Sequence, residues 1–66
     1  MIAPTAVVEG RVGPGTKVWH HAVVRGTVGR NCVIGSGAHI DVGVSIGDCC
    51  KVENGAQVFG PTTVEP

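Results

Sequence analysis

The sequence predicts an all-β chain wound as a three-sided parallel β-helix, and three observations carry that prediction. Aliphatic residues fall at every sixth position through Val28, Ile34, Ile40, Ile46, Val52, Val58 and Val64. Four places after each of the first six stands a smaller residue: Cys32, Ala38, Val44, Cys50, Ala56 and Thr62. A helix repeats at about 3.6 residues and a strand at about 2, so neither describes the run. A six-residue period is the signature of short strands and tight turns alternating around a coil. The second observation is that the period extends back through Val24, Val18, Val12, Val8 and Ile2, with two intervals of four residues, Val8 to Val12 and Val24 to Val28. These shortened intervals lie sixteen residues apart, so three repeats per coil place both at one corner. A deletion in a single coil would break the stack, whereas deletions in successive coils at one corner keep it. The third is composition. Eleven glycines and four prolines supply many turns, while one Trp, one Phe and no Tyr argue against a conventional globular core.

The register assigns three inward columns: Val12–Val28–Ile46–Val64, Ile2–Val18–Ile34–Val52 and Val8–Val24–Ile40–Val58. Their members are β-branched, which suits a pleated surface better than a helix. Neighbours in a column are expected about 4.8 Å apart, the spacing of paired strands, so about four coils make a prism roughly 18 Å tall. Gly13, Gly29 and Gly47 stack at one corner, where the tight turn is expected to use glycine's conformational freedom. Arg30 falls below Asp48 beside them, and Glu9, Arg25 and Asp41 form a ladder of alternating sign at the shortened corner. The third corner alone combines imidazole, hydroxyl, amide, carboxylate and an outward Trp. His20, Ser36 and Asn54 share one column there, with His21, Gly37 and Gly55 to one side and Trp19, Gly35 and Glu53 to the other.

Sixty-six residues make at most one small domain, read as 1–66, whose core barely offsets its conformational entropy, so a staple or an oligomer is expected. Cys32 and Cys50 sit on the small repeat position and Cys49 beside them, which is no disulfide framework. They read as reduced thiols and predict a cytoplasmic setting. Five basic and five acidic residues balance, giving no electrostatic case for nucleic acid or an anionic membrane. No apolar run approaches the length of a membrane span and Met1 opens no signal-peptide pattern. The glycines follow the six-residue period and form no phosphate-binding loop.

The stretches Ala3-Pro4-Thr5-Ala6, Val18-Trp19-His20-His21, Ile46-Gly47-Asp48, Val52-Glu53-Asn54 and Val58-Phe59-Gly60 resemble the N-terminal coils of the nucleotide-sugar amine N-acetyltransferases. These belong to the hexapeptide-repeat, left-handed β-helix acyltransferase superfamily, and the resemblance covers essentially the whole chain. It implies a left-handed coil, a homotrimer, an amino-sugar nucleotide as acceptor and acetyl-CoA as co-substrate, with no metal. The acetyl-CoA site lies largely on later coils between subunits in that family, so residues 1–66 look like the front portion of a longer pattern. The two shortened turns depart from the family pattern.

In the family the acceptor amine attacks the acetyl thioester, often with a histidine as general base. A base must reach the proton it takes and titrate near working pH. His20 and His21 are the candidates, set against a polar-turn or subunit-contact role. Asn54, Trp19 and Ser36 are candidates for substrate binding; Asn54 alternatively builds a turn ladder and Trp19 alternatively anchors an interface. His39 reads as surface. Two other classes stay open. Val18-Trp19 and Ala22-Val23-Val24-Arg25-Gly26 also resemble the γ-class carbonic anhydrases, which bind zinc through three histidines. Here no His-x4-His pair exists and Thr27 stands where an aspartate is expected. The third class is an alternative, a non-catalytic trimeric scaffold or a shortened or engineered β-helix, with Pro4, Pro61 and Pro66 blunting strand edges.

Overall fold

A computed structural model describes residues 1–65. Its eleven strands are β1 Val7–Val8, β2 Arg11–Val12, β3 Lys17–Val18, β4 Val23–Val24, β5 Thr27–Val28, β6 Val33–Ile34, β7 His39–Ile40, β8 Val44–Ile46, β9 Lys51–Val52, β10 Gln57–Val58 and β11 Thr62–Val64. No helix occurs among the described residues. Every third strand pairs in parallel, giving three sheets ordered β1-β4-β7-β10, β2-β5-β8-β11 and β3-β6-β9. The chain is a parallel β-solenoid of about three turns.

Most strands are two residues long because each side of the coil needs only an outward and an inward position before it turns. The inward residues pair in the expected register: Val8 with Val24, Val24 with Ile40 and Ile40 with Val58 on one side. On the next, Val12 pairs with Val28, Val28 with Ile46 and Ile46 with Val64. On the third, Ile2 bridges Val18, Val18 pairs with Ile34 and Ile34 with Val52. Val18, Val24, Ile34 and Ile40 are fully buried; Ile2 keeps the register but is half exposed. The small repeat residues line the inside of the corners, where Ala22, Ala38 and Cys32 are buried. Thr16 heads the cysteine column and is the buried polar residue of the core. Its hydroxyl donates to the Gly29 carbonyl at 2.6 Å and accepts the Cys32 N–H at 3.1 Å, so its burial leaves no polar group without a partner.

The register separation is sixteen residues between Val18 and Ile34 but eighteen between Ile34 and Val52. The two extra residues are Val42 and Gly43, which swell the corner between β7 and β8. Val42 is exposed and Gly43 takes a φ of 78°. The earlier coils turn that corner at Glu9-Gly10 and Arg25-Gly26. The expected charge ladder stands there, with Arg25 Nε 3.1 Å from Glu9 Oε1 and Nη1 3.8 Å from Asp41 Oδ1, all partly exposed. Arg25→Ala should lower stability by less than about 1 kcal/mol, and the loss should shrink as salt is added. Urea melts at two ionic strengths check both points.

One reason inferred from the sequence is corrected. Gly13 and Gly29 do not supply left-handed backbone. That conformation falls two residues later, at Gly15, Asn31 and Cys49, with φ of 77°, 55° and 59°. Gly13 is required by close approach instead, since a Cβ there would lie 2.7 Å from the Gly29 carbonyl. At the same corner Asp48 does not pair with the Arg30 guanidinium: its Oδ1 accepts the Arg30 backbone N–H at 2.9 Å.

Candidate functional site

The polar corner joins β3 to β4, β6 to β7 and β9 to β10. Its turns stack through hydrogen bonds that climb the coil. The Thr5 hydroxyl lies 3.2 Å from His20 Nδ1 and accepts the His21 N–H at 3.1 Å. The Gly37 N–H donates to the His20 carbonyl at 3.0 Å, and the Gly55 N–H to the Ser36 carbonyl at 2.8 Å. Asn54 Oδ1 accepts the Ser36 N–H at 2.9 Å. His21, Gly37 and Gly55 share the left-handed position, with φ of 62°, 69° and 71°. His21 is thus a side-chain-bearing residue where its two successors are glycine. An L side chain there costs about 1–2 kcal/mol. His21→Gly should therefore raise stability by up to about 1 kcal/mol, read as a higher urea midpoint.

His20 and His21 are both exposed, their ring centroids 6.5 Å apart. Thr5 governs which nitrogen of His20 can act. With the ring proton on Nδ1 and donated to Thr5, Nε2 carries the lone pair a general base needs; with the hydroxyl donating, Nε2 holds the proton.

A second arrangement flanks the corner. Trp19, Gly35 and Glu53 occupy successive coils, and a groove of about 440 Å³ opens beside them. Trp19, Val33, Gly35, Lys51, Glu53 and Asn54 line it. Lys51 Nζ stands 3.6 Å from Glu53 Oε2. The structure therefore brings Trp19 and Asn54 together on the groove and puts His20, His21 and Ser36 in the turn ladder beside it. Lys51 escaped the sequence reading; the signal available was its outward position in β9, paired with Val33. The groove offers an aromatic face, a cation, a carboxylate and an amide within one patch. His39 lies in strand β7, its Nε2 3.9 Å from Asp41 Oδ1. Among the described residues no three His, Cys, Asp or Glu side chains come together to hold a metal ion, and no helix is long and apolar enough to cross a membrane.

Strands of two or three residues, a six-residue interior period and stacked corners define a parallel β-solenoid of hexapeptide repeats. Residues 27–59, half of the chain, match the family described as the hexapeptide repeat of succinyl-transferase, and the chain belongs to that hexapeptide-repeat family. No curated protein and no solved structure matches the chain significantly. The matched span contains the upper two turns of the polar corner, with Ser36 and Asn54, but not His20 or His21.

Proposed function

We propose that the chain is the β-helix portion of an acyltransferase that moves an acetyl group from acetyl-CoA to the amine of an amino-sugar nucleotide in the cytoplasm. The coil is left-handed, of about four rungs, and three copies associate so that neighbouring subunits complete the acetyl-CoA site. The observation that carries this reading is the hexapeptide repeat itself, whose family is named for acyl transfer. The stretch Val18-Trp19-His20-His21 supports the finer assignment. In this reading His20 or His21 accepts the amine proton as the nitrogen attacks the thioester carbon. Trp19 and Asn54 hold the acceptor at the groove and Ser36 adds a hydroxyl beside it.

The test is release of CoA thiol from acetyl-CoA in the presence of an amino-sugar nucleotide. Replacing a general base lowers such a rate by about 10²–10⁴-fold. A loss of that size in His20→Asn, with His21→Gly active, identifies His20 as the base; the reverse pattern identifies His21. No thiol release, and no binding of either substrate at millimolar concentration, overturns the catalytic reading.

A specific observation favours a second reading, a non-catalytic scaffold. The Asn54 side-chain oxygen Oδ1 already accepts the Ser36 N–H and His20 is engaged by Thr5, so the polar corner also serves as a turn ladder. Under that reading Asn54→Ala lowers stability and changes no ligand affinity.

A further inference from the structure

Beside Thr16 in the interior column, two thiols stand one above the other. Val33 pairs with Lys51, and its N–H donates to the Cys50 carbonyl at 3.0 Å, so Cys32 lies directly under Cys50 in adjacent coils. Parallel neighbours are spaced about 4.8 Å, inside the range of about 4.4–6.8 Å between Cα atoms that a disulfide requires. Cys32 does not merely fill space in its own coil. Its Sγ donates upward to the Gly47 carbonyl at 3.0 Å, in the coil that carries Cys50. Cys50 Sγ lies 3.6 Å from the next carbonyl, Asp48. Both sulfurs thus meet the same two-residue stretch of backbone from below and from within. Burial first, and then the neighbouring Cys32, raise the Cys50 thiol above its ordinary pKa. All three cysteines are free, Cys32 buried, Cys50 half-buried and Cys49 exposed. Cys49 is the poorer partner for Cys50, because consecutive Cα atoms are about 3.8 Å apart, below the disulfide range.

We propose that Cys32 and Cys50 form a thiol–disulfide exchange site, which low-molecular-weight disulfides of the glutathione class convert into a reversible staple between adjacent coils. Cys50, the more accessible, attacks first as thiolate. One external sulfur leaves as a thiol carrying the proton Cys50 gave up. Cys32 then attacks the Cys50 sulfur, and the second external thiol leaves with the Cys32 proton. Two protein thiols are oxidised to one disulfide and the external disulfide is reduced to two thiols. The closed loop spans eighteen residues between successive coils, which restricts the unfolded chain.

The test uses the Cys49→Ser variant, whose substitution is at an exposed turn and leaves only the two stacked thiols. Incubation with oxidised glutathione should remove two hydrogens from the intact mass, block both cysteines from alkylation and raise Tm by about 10 °C or more, all reversed by dithiothreitol. Two thiols that stay alkylatable, a stable glutathione adduct on Cys50, or a covalent dimer would each overturn the proposal. Wild-type protein mapped after the same treatment should yield the Cys32–Cys50 peptide pair. A Cys49–Cys50 link in its place counts against it.

Discussion

Ile34→Asp is expected to leave the protein unfolded at room temperature. Ile34 is fully buried in β6, stacked between Val18 below and Val52 above. A chain of this size has a stability of roughly 3–10 kcal/mol at about 0.05–0.15 kcal/mol per residue. An unpaired carboxylate in an apolar interior costs several kcal/mol after relaxation, and the lost isoleucine packing adds about 2–5 kcal/mol. The sum meets or exceeds what holds the fold together. Protonation of the aspartate lowers the penalty but still leaves a polar group among aliphatics. Ile34→Val is the control, since it keeps β-branching and removes one methylene for about 0.5–1.5 kcal/mol. Circular dichroism should show loss of the β signature for the aspartate variant and retention for valine.

The second large effect separates two glycines two residues apart. At Gly35 a Cβ would lie 2.5 Å from Asn54 Oδ1 and 2.6 Å from the Asn54 backbone nitrogen. The obstacle is largely main chain of the adjacent coil, so the coils must separate, and the Gly35 N–H to Val52 carbonyl bond of 2.8 Å is strained as they do. At Gly37 a Cβ meets nothing within 4 Å, but φ is 69°. Gly37→Ala should therefore cost only the left-handed penalty of about 1–2 kcal/mol. Gly35→Ala should cost more than that, about 3 kcal/mol or more, the upper end of overpacking and backbone-shift penalties. Urea midpoints of the two variants, measured side by side, check the ranking. Equal losses would mean that the coils are not packed as closely as described.

Most of the scaffold was legible because its rule is one-dimensional. A coil that buries one aliphatic on each of its three sides forces the six-residue period on Val28 through Val64. The two shortened intervals were equally readable, since only deletions at one corner keep Val12 below Val28 in register. Handedness was not legible, because the same period describes a coil of either hand. The role of Gly13 was misread for a related reason: sequence shows that a residue lacks a side chain, not whether torsion or close approach demands it. At the candidate site the Thr5 contact to His20 and the groove at Lys51 depend on how outward side chains lie across coils. No inward periodicity constrains those, so spacing could place Trp19 and Asn54 on one corner but could not join them on one groove.

Scalar couplings across backbone hydrogen bonds, measured by NMR on labelled protein, probe the stacking itself. Coupling is expected from the Trp19 amide to the Ile34 carbonyl and from the Gly35 amide to the Val52 carbonyl, so that one column links three coils in a single direction. The separation should lengthen by two residues from the first pair to the second, as Val42 and Gly43 enter the coil. Couplings between residues four apart, or pairs that run antiparallel, would contradict a solenoid and remove the ground for the acyltransferase reading with it.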